Sequence, residues 1–239
     1  MATPKVQTPS PVYGFLKQPS MIDFPGRLAA VLFVAGCNFR CGFCHNPPLT
    51  GPPRPGLAWE NIEEAFRQFK RQWVDGVVIS GGEPTLRAAE LGRLLELCRQ
   101  FGFAIKLDTN GSRPEVLREV LPRLDFVAMD VKCALEDYPE FVGFPRPQAI
   151  ADSIGHLRNS AVAHEFRTTV IESFHHEAQI MAIGGVIRPA RRYVLQAFIP
   201  RPDLPDPAMR ETTRTRPDYL RRLKEKLEAA ECAREVVVR

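Results

Sequence analysis

Six short apolar runs punctuate the chain, at Ala29–Ala35, Val74–Ser80, Phe103–Thr109, Leu124–Val131, Glu165–Val170 and Arg192–Phe198. Several show little polar alternation, the pattern of parallel strands covered on both faces. Between the runs, apolar residues return at helical spacing. Ile62, Ala65, Phe66, Phe69 and Trp73 fit i, i+3, i+4, i+7, and Leu91, Leu94, Leu95 and Cys98 do the same. Weaker helical segments are expected over Pro114–Leu121, Gln148–Asn159 and His176–Gly184. The basic run Arg210–Lys226 is interleaved with acids, and Leu220, Leu223 and Leu227 give it one packed face. The alternation reads as repeated βα units with right-handed crossovers. Six strands fall short of the eight that close a barrel.

The ends of the first four runs are glycine or polar: Gly36-Cys37, Ser80-Gly81-Gly82-Glu83-Pro84, Asp108-Thr109-Asn110-Gly111 and Asp130-Val131-Lys132. Ligands collect at the C-terminal strand ends of parallel sheets, so these residues are expected to rim one pocket. Gly81 and Gly82 would let the backbone approach a ligand, and Glu83 would offer a carboxylate to an ammonium group. Two proline-rich stretches, Pro47–Gly56 and Pro200–Pro207, read as stiff loops. The expected organisation is one domain over residues 1–239. It has an N-terminal extension (1–28), a core barrel (29–198) and a C-terminal loop and helix (199–239).

Composition narrows the class. The 44% hydrophobic and 25% charged fractions are those of an ordinary globular protein with a core. No run of about 18 apolar residues suggests a membrane span. Met1–Gln18 lacks the apolar region of a signal peptide, so a cytoplasmic protein is expected. The net charge of +4 does not point to nucleic acid, and it suits an acidic electron donor.

Three of the six cysteines, Cys37, Cys41 and Cys44, fall within eight residues as C-x3-C-x2-C, with no fourth nearby. Structural zinc and electron-transfer iron–sulfur sites usually take four ligands. Three thiolates hold three irons of a cubane and leave one open to a substrate or cofactor. A Cys3His zinc site using His45 is the rival, although histidine directly after the last cysteine is not finger spacing. Of the others, Cys98 reads as core and Cys232 as structural, and Cys133 has no assigned role. His156 and His164 read as helix and strand-edge residues, and His175 and His176 as capping or surface residues.

The loop resembles the cluster loop of the radical S-adenosylmethionine (SAM) enzymes. The stretch from Gly14 through Phe24-Pro25-Gly26 to Cys44-His45-Asn46-Pro47 resembles activating enzymes of glycyl radical enzymes, of the anaerobic ribonucleotide reductase activating type. The resemblance implies an α/β fold, the open (β/α)6 partial barrel. It implies a 4Fe–4S cluster on Cys37, Cys41 and Cys44, with SAM as the second cofactor and no catalytic side chain beyond these. It makes Phe43 an adenine neighbour, Gly81-Gly82-Glu83-Pro84 a contact for the methionine amino group, and Asp108, Thr109, Asp130 and Lys132 positions around SAM. His45 is carried as a further cofactor contact. Arg167 reads as a partner for a carboxylate or as a bridge between strands. The corresponding acids of the pyruvate formate-lyase activator also help bind a monovalent cation. That activator carries a Tyr-His pair after its last strand, where this chain reads Leu195-Gln196-Ala197-Phe198-Ile199-Pro200. The implied partners are a glycyl radical enzyme as substrate and a flavodoxin or ferredoxin as electron donor. A small-molecule enzyme like 7-carboxy-7-deazaguanine synthase is the alternative within the superfamily. A non-catalytic metal-binding module is the alternative outside it.

Overall fold

A computed structural model describes residues 9–239; the first eight residues of the N-terminal extension lie outside the described residues. Eight strands form one sheet in chain order: β1 Val12–Phe15, β2 Ala29–Val34, β3 Gly76–Gly81, β4 Ala104–Thr109, β5 Phe126–Asp130, β6 Ala163–Val170, β7 Ala190–Ala197 and β8 Ala233–Val238. β1 pairs antiparallel with β2, and every other pairing is parallel. The helices are α1 Trp59–Arg71, α2 Ala88–Gln100, α3 Pro114–Val120, α4 Tyr138–Phe141, α5 Pro147–Arg158, α6 Glu177–Ile187, α7 Pro207–Arg210 and α8 Pro217–Ala229. No pairing joins β1 to β8 among the described residues, so the sheet is an open partial barrel. Among the described residues no helix is long and apolar enough to cross a membrane.

The six expected strands are β2 to β7, and each edge carries one more. β1 lies in the N-terminal extension and β8 in the segment expected to hold only loop and helix. Both escape the hydrophobic pattern because glycine interrupts one and Arg234 and Glu235 open the other.

The two faces of each strand divide by parity. Ala30, Leu32, Val77, Ile79, Ile105, Leu107, Val127 and Phe166 join the main core under the helices. The opposite parity faces the concave side. Near the strand starts it is apolar, where Ala29, Val31, Val78 and Ala104 pack with Phe24. Towards the strand ends it turns charged, through Lys106, Asp108, Asp130 and Arg167. That gradient places the polar chemistry at the barrel mouth.

Two expectations are corrected. Trp73 does not extend the apolar stripe of α1; it lies past the helix end with φ +61° and is 89% exposed. His175 is buried rather than capping or surface. Its Nδ1 accepts from the Ile171 N–H at 3.0 Å, which leaves Nε2–H to donate to the Lys132 carbonyl at 2.8 Å. Cys98 lies in the core as expected, and Cys133 and Cys232 are buried too.

Candidate functional site

β2 delivers the chain into the cysteine loop, and neighbours clamp it on two sides. Gly36 N–H donates to the Leu49 carbonyl and Cys37 N–H to the Gly51 carbonyl at 2.7 Å, tying the loop to the proline-rich stretch behind it. On the other side Glu83 N–H donates to the Gly36 carbonyl at 2.7 Å. Gly36 has φ +107°, and a Cβ there would meet Pro53 Cα at 2.5 Å. Phe39 anchors the loop in the core, edge-on to Tyr138 and 5.0 Å from the Phe144 ring. Phe43 is buried and stacks on Phe141 at 5.2 Å.

The three thiols open into one cavity of about 450 Å³ at the strand ends. Phe43 and His45 line it from the loop, and Gly81 and Gly82 from the end of β3. Asp108, Thr109, Asp130, Lys132 and Arg167 complete it from β4, β5 and β6. His45 Nε2 is 3.0 Å from the Ile199 carbonyl, which fixes the ring against the end of β7; burial lowers its pKa.

The acids at the rim are already paired. Asp130 accepts from Lys132 Nζ at 2.9 Å and from Arg167 Nε at 2.8 Å. Asp108 accepts from Lys106 Nζ, from the Ser80 hydroxyl at 3.2 Å and from Arg167 at 3.4 Å. Arg167 therefore does both things expected of it, pairing with carboxylates and bridging strands. Burial alone would raise the Asp130 carboxyl, but Arg167 and Lys132 outweigh it and hold it well below the usual carboxylate range. Burial would likewise lower Lys132, and Asp130 reverses the sign. The floor thus keeps fixed charges across the ordinary pH range.

Glu83 is the exception among the expected site residues, because its side chain does not line the cavity. It is fully buried behind the strand ends. Oε1 accepts from the Thr85 N–H, the Thr85 hydroxyl and the Thr109 hydroxyl, and Oε2 accepts from the Asn110 N–H at 2.6 Å. Four internal donors hold this carboxylate away from the cavity lining. Here it acts as a positioning residue for the end of β4. The two glycines line the cavity and also serve packing. A Cβ on Gly81 would sit 2.3 Å from Val34 N, and one on Gly82 would sit 2.0 Å from Gly36 O. Their bare backbones first let β3 press against the cysteine loop.

Lys106 was missed in the sequence, and Asn110 was read only as part of a strand end on the pocket rim. Asn110, held by Glu83, points its amide at Cys37 Sγ (3.9 Å) and Asn38 Oδ1 (3.1 Å). Lys106 is signalled only by its place two residues before Asp108 on an otherwise apolar strand.

The donor set fits an iron–sulfur cluster. Burial pushes the Cys37 thiol up to about 11 and the Cys41 thiol up to about 12, so thiolate formation there needs a cationic centre between them. N–H groups already point at the sulfurs: Phe39 N at 3.5 Å from Cys37 Sγ and Asn46 N at 3.4 Å from Cys44 Sγ. Such hydrogen bonds tune cluster sulfurs. Among the described residues no three such ligands converge on a single-ion site, so the mononuclear zinc arrangement is not preformed.

Comparison with known proteins agrees with this geometry. The family model described as the Radical SAM superfamily matches residues 31–177. A protein of Methanocaldococcus jannaschii, assigned as a glycyl-radical enzyme activating enzyme, is 34% identical over 189 residues, which is 76% of this chain and 78% of that one. A 7-carboxy-7-deazaguanine synthase of Thermococcus kodakarensis is 29% identical over 127 residues, covering 45% of this chain and 50% of that one. A crystal structure of a domain of pyruvate-formate lyase-activating enzyme from Bacteroides vulgatus superposes with TM-score 0.56 at 19% identity, covering 69% of this chain and 98% of that one. This chain belongs to the radical SAM superfamily, enzymes that work with an iron–sulfur cluster and S-adenosylmethionine.

Proposed function

We propose that the protein is a glycyl radical enzyme activase, with anaerobic ribonucleotide reductase as the first candidate partner. The observation that carries the reading is that three loop thiols and a ring of fixed strand-end charges open into one cavity. Cys37, Cys41 and Cys44 would hold a 4Fe–4S cluster. Bound there, such a cluster would supply the single electron for reductive cleavage of SAM, the chemistry that starts radical formation on a partner glycine. The chain's own residues bind and orient. Asp108 and Asp130, ion-paired with Lys106, Lys132 and Arg167, present a fixed polar surface to the polar end of SAM. Phe43, with Lys132 Nζ 5.8 Å from its ring, offers an apolar wall for the adenine. A monovalent cation would compete with those three basic side chains for the same carboxylates.

A protein substrate is favoured by where the proline-rich loops lie. A small-molecule enzyme needs them over the mouth. Of residues 47–56 only Thr50 lines the main cavity, and of residues 200–207 none does. A cytoplasmic setting, which keeps the loop thiols reduced, accords with this reading. The test mixes reduced protein, SAM and a candidate glycyl radical enzyme without oxygen. A doublet EPR signal near the free-electron g value is expected, because a glycyl radical couples to its remaining α-hydrogen. No doublet with several partners, together with a metabolite that speeds 5′-deoxyadenosine formation, would replace this reading with the small-molecule one.

A further inference from the structure

The turn that follows β4, residues 110–112, leaves one side-chain proton aimed at a cysteine of the loop. Asn110 is buried, and the partners of its polar atoms can be assigned one by one. Its N–H donates to Glu83 Oε2 at 2.6 Å. Its Oδ1 accepts from the Ser112 N–H at 2.9 Å. A main-chain N–H can only donate, so the amide has one orientation and Nδ2 faces the cysteine loop. One Nδ2 proton goes to Asn38 Oδ1 at 3.1 Å, which also accepts from the Ser112 hydroxyl at 3.2 Å. The other has Cys37 Sγ as its acceptor, 3.9 Å away. The turn itself is held from behind, where the Ser153 hydroxyl donates to the Gly111 carbonyl at 2.7 Å.

The three loop sulfurs are therefore not equivalent. Among the described residues Cys37 Sγ faces two donors, the Phe39 N–H and Asn110 Nδ2, Cys44 Sγ faces the Asn46 N–H, and Cys41 Sγ faces none. The Phe39 and Asn46 donors belong to the loop and come with its winding. Asn110 comes from another strand end and is fixed by a carboxylate from a third, which marks its contact with Cys37 as built.

We infer that Asn110 sets the reduction potential of the site by donating its side-chain N–H to the Cys37 thiolate, and that Glu83 is the positioning residue that holds it there. This rests on the reading under Proposed function, in which the three thiolates carry an iron–sulfur cluster. A thiol is a weak acceptor and an ionised one a stronger acceptor, so the contact gains strength when Cys37 is a ligand. One-electron reduction puts part of the added charge on the cysteine sulfurs. A donor to sulfur stabilises the reduced form more than the oxidised form and raises the potential. No proton moves and no covalent bond changes.

The test is an anaerobic, EPR-monitored redox titration of the reconstituted protein, with dithionite as reductant and no SAM. Asn110→Leu keeps the side-chain volume and removes the donor. At a fixed potential its ratio of reduced to oxidised cluster should fall about tenfold, a midpoint about 59 mV lower for one electron. Asn110→Asp keeps the acceptor for the Ser112 N–H, puts an anion beside Cys37 and should fall further. Ser153→Ala loses a buried hydrogen bond to the same turn, touches no sulfur and should titrate as wild type. Wild-type midpoints in both Asn110 variants, or an equal drop in Ser153→Ala, would overturn the assignment. If neither Asn110 variant holds iron, the wild-type protein decides. With isotopically labelled nitrogen in its asparagine side chains, the reduced cluster should show a coupling to the label in pulsed EPR, and no coupling overturns the proposal. Failure of the underlying reading looks different: the wild-type protein then holds no iron, or shows no one-electron couple.

Discussion

At the scale of single residues, buried groups with complete hydrogen-bond sets dominate. Glu83 satisfies four donors, so Glu83→Ala strands the Asn110 N–H and its companions. Each unsatisfied buried group costs about 1–3 kcal/mol. We expect Glu83→Ala to lose at least about 3 kcal/mol in urea unfolding and Glu83→Gln to lose less; an Ala variant as stable as wild type would contradict the role. His175 supplies a pH signature. Burial lowers its pKa to about 4 from the ordinary 6.5. The unfolded chain then binds more protons between those values, so stability is full above pH 6.5 and falls as pH drops towards 4. The change is roughly 3 kcal/mol from the linkage relation. His175→Gln should flatten that slope, as read from unfolding midpoints at several pH values. Sequence pattern could place Asp108 and Lys132 at strand ends, because a charge after an apolar run is visible. It could not show that Glu83 turns inward or that His175 is buried, since both depend on partners from other elements.

At the scale of elements, three helices end alike. After α1, α2 and α8, the residue in the left-handed region is Trp73, Gly102 and Glu231 respectively. The following N–H groups of Val74, Phe103 and Cys232 reach back to the carbonyls of Phe69, Cys98 and Leu227. This is the Schellman arrangement, which favours glycine. Trp73→Gly and Glu231→Gly should each raise stability by about 1 kcal/mol, and Gly102→Ala should lower it by a similar amount. Thermal melts that rank these variants the other way would contradict the assignment. The mismatch also explains the misreading of Trp73: its spacing continues the apolar stripe, but the helix stops two residues earlier. Gly102 is the one stop that the sequence marks with its preferred residue. β1 and β8 were illegible for a related reason, since pairing with β2 and β7, and not their own composition, makes them strands.

At the scale of the whole molecule, the open sheet separates two surfaces through one loop. Paired charges line the inner cavity, and Arg40 is the one charged side chain that lines the outer one among the described residues. The six central strands and the cysteine spacing were legible because apolar runs and clustered thiols are local signals. The central claim is that Cys37, Cys41 and Cys44 serve the inner cavity as one reductive site. Its most direct test is the amount of 5′-deoxyadenosine formed after anaerobic reconstitution, dithionite reduction and addition of SAM. Wild type and Cys98→Ala should form it, and Cys41→Ala should form none. Product from Cys41→Ala at the wild-type level, or none from a wild-type protein carrying its full iron and sulfide, would contradict the claim.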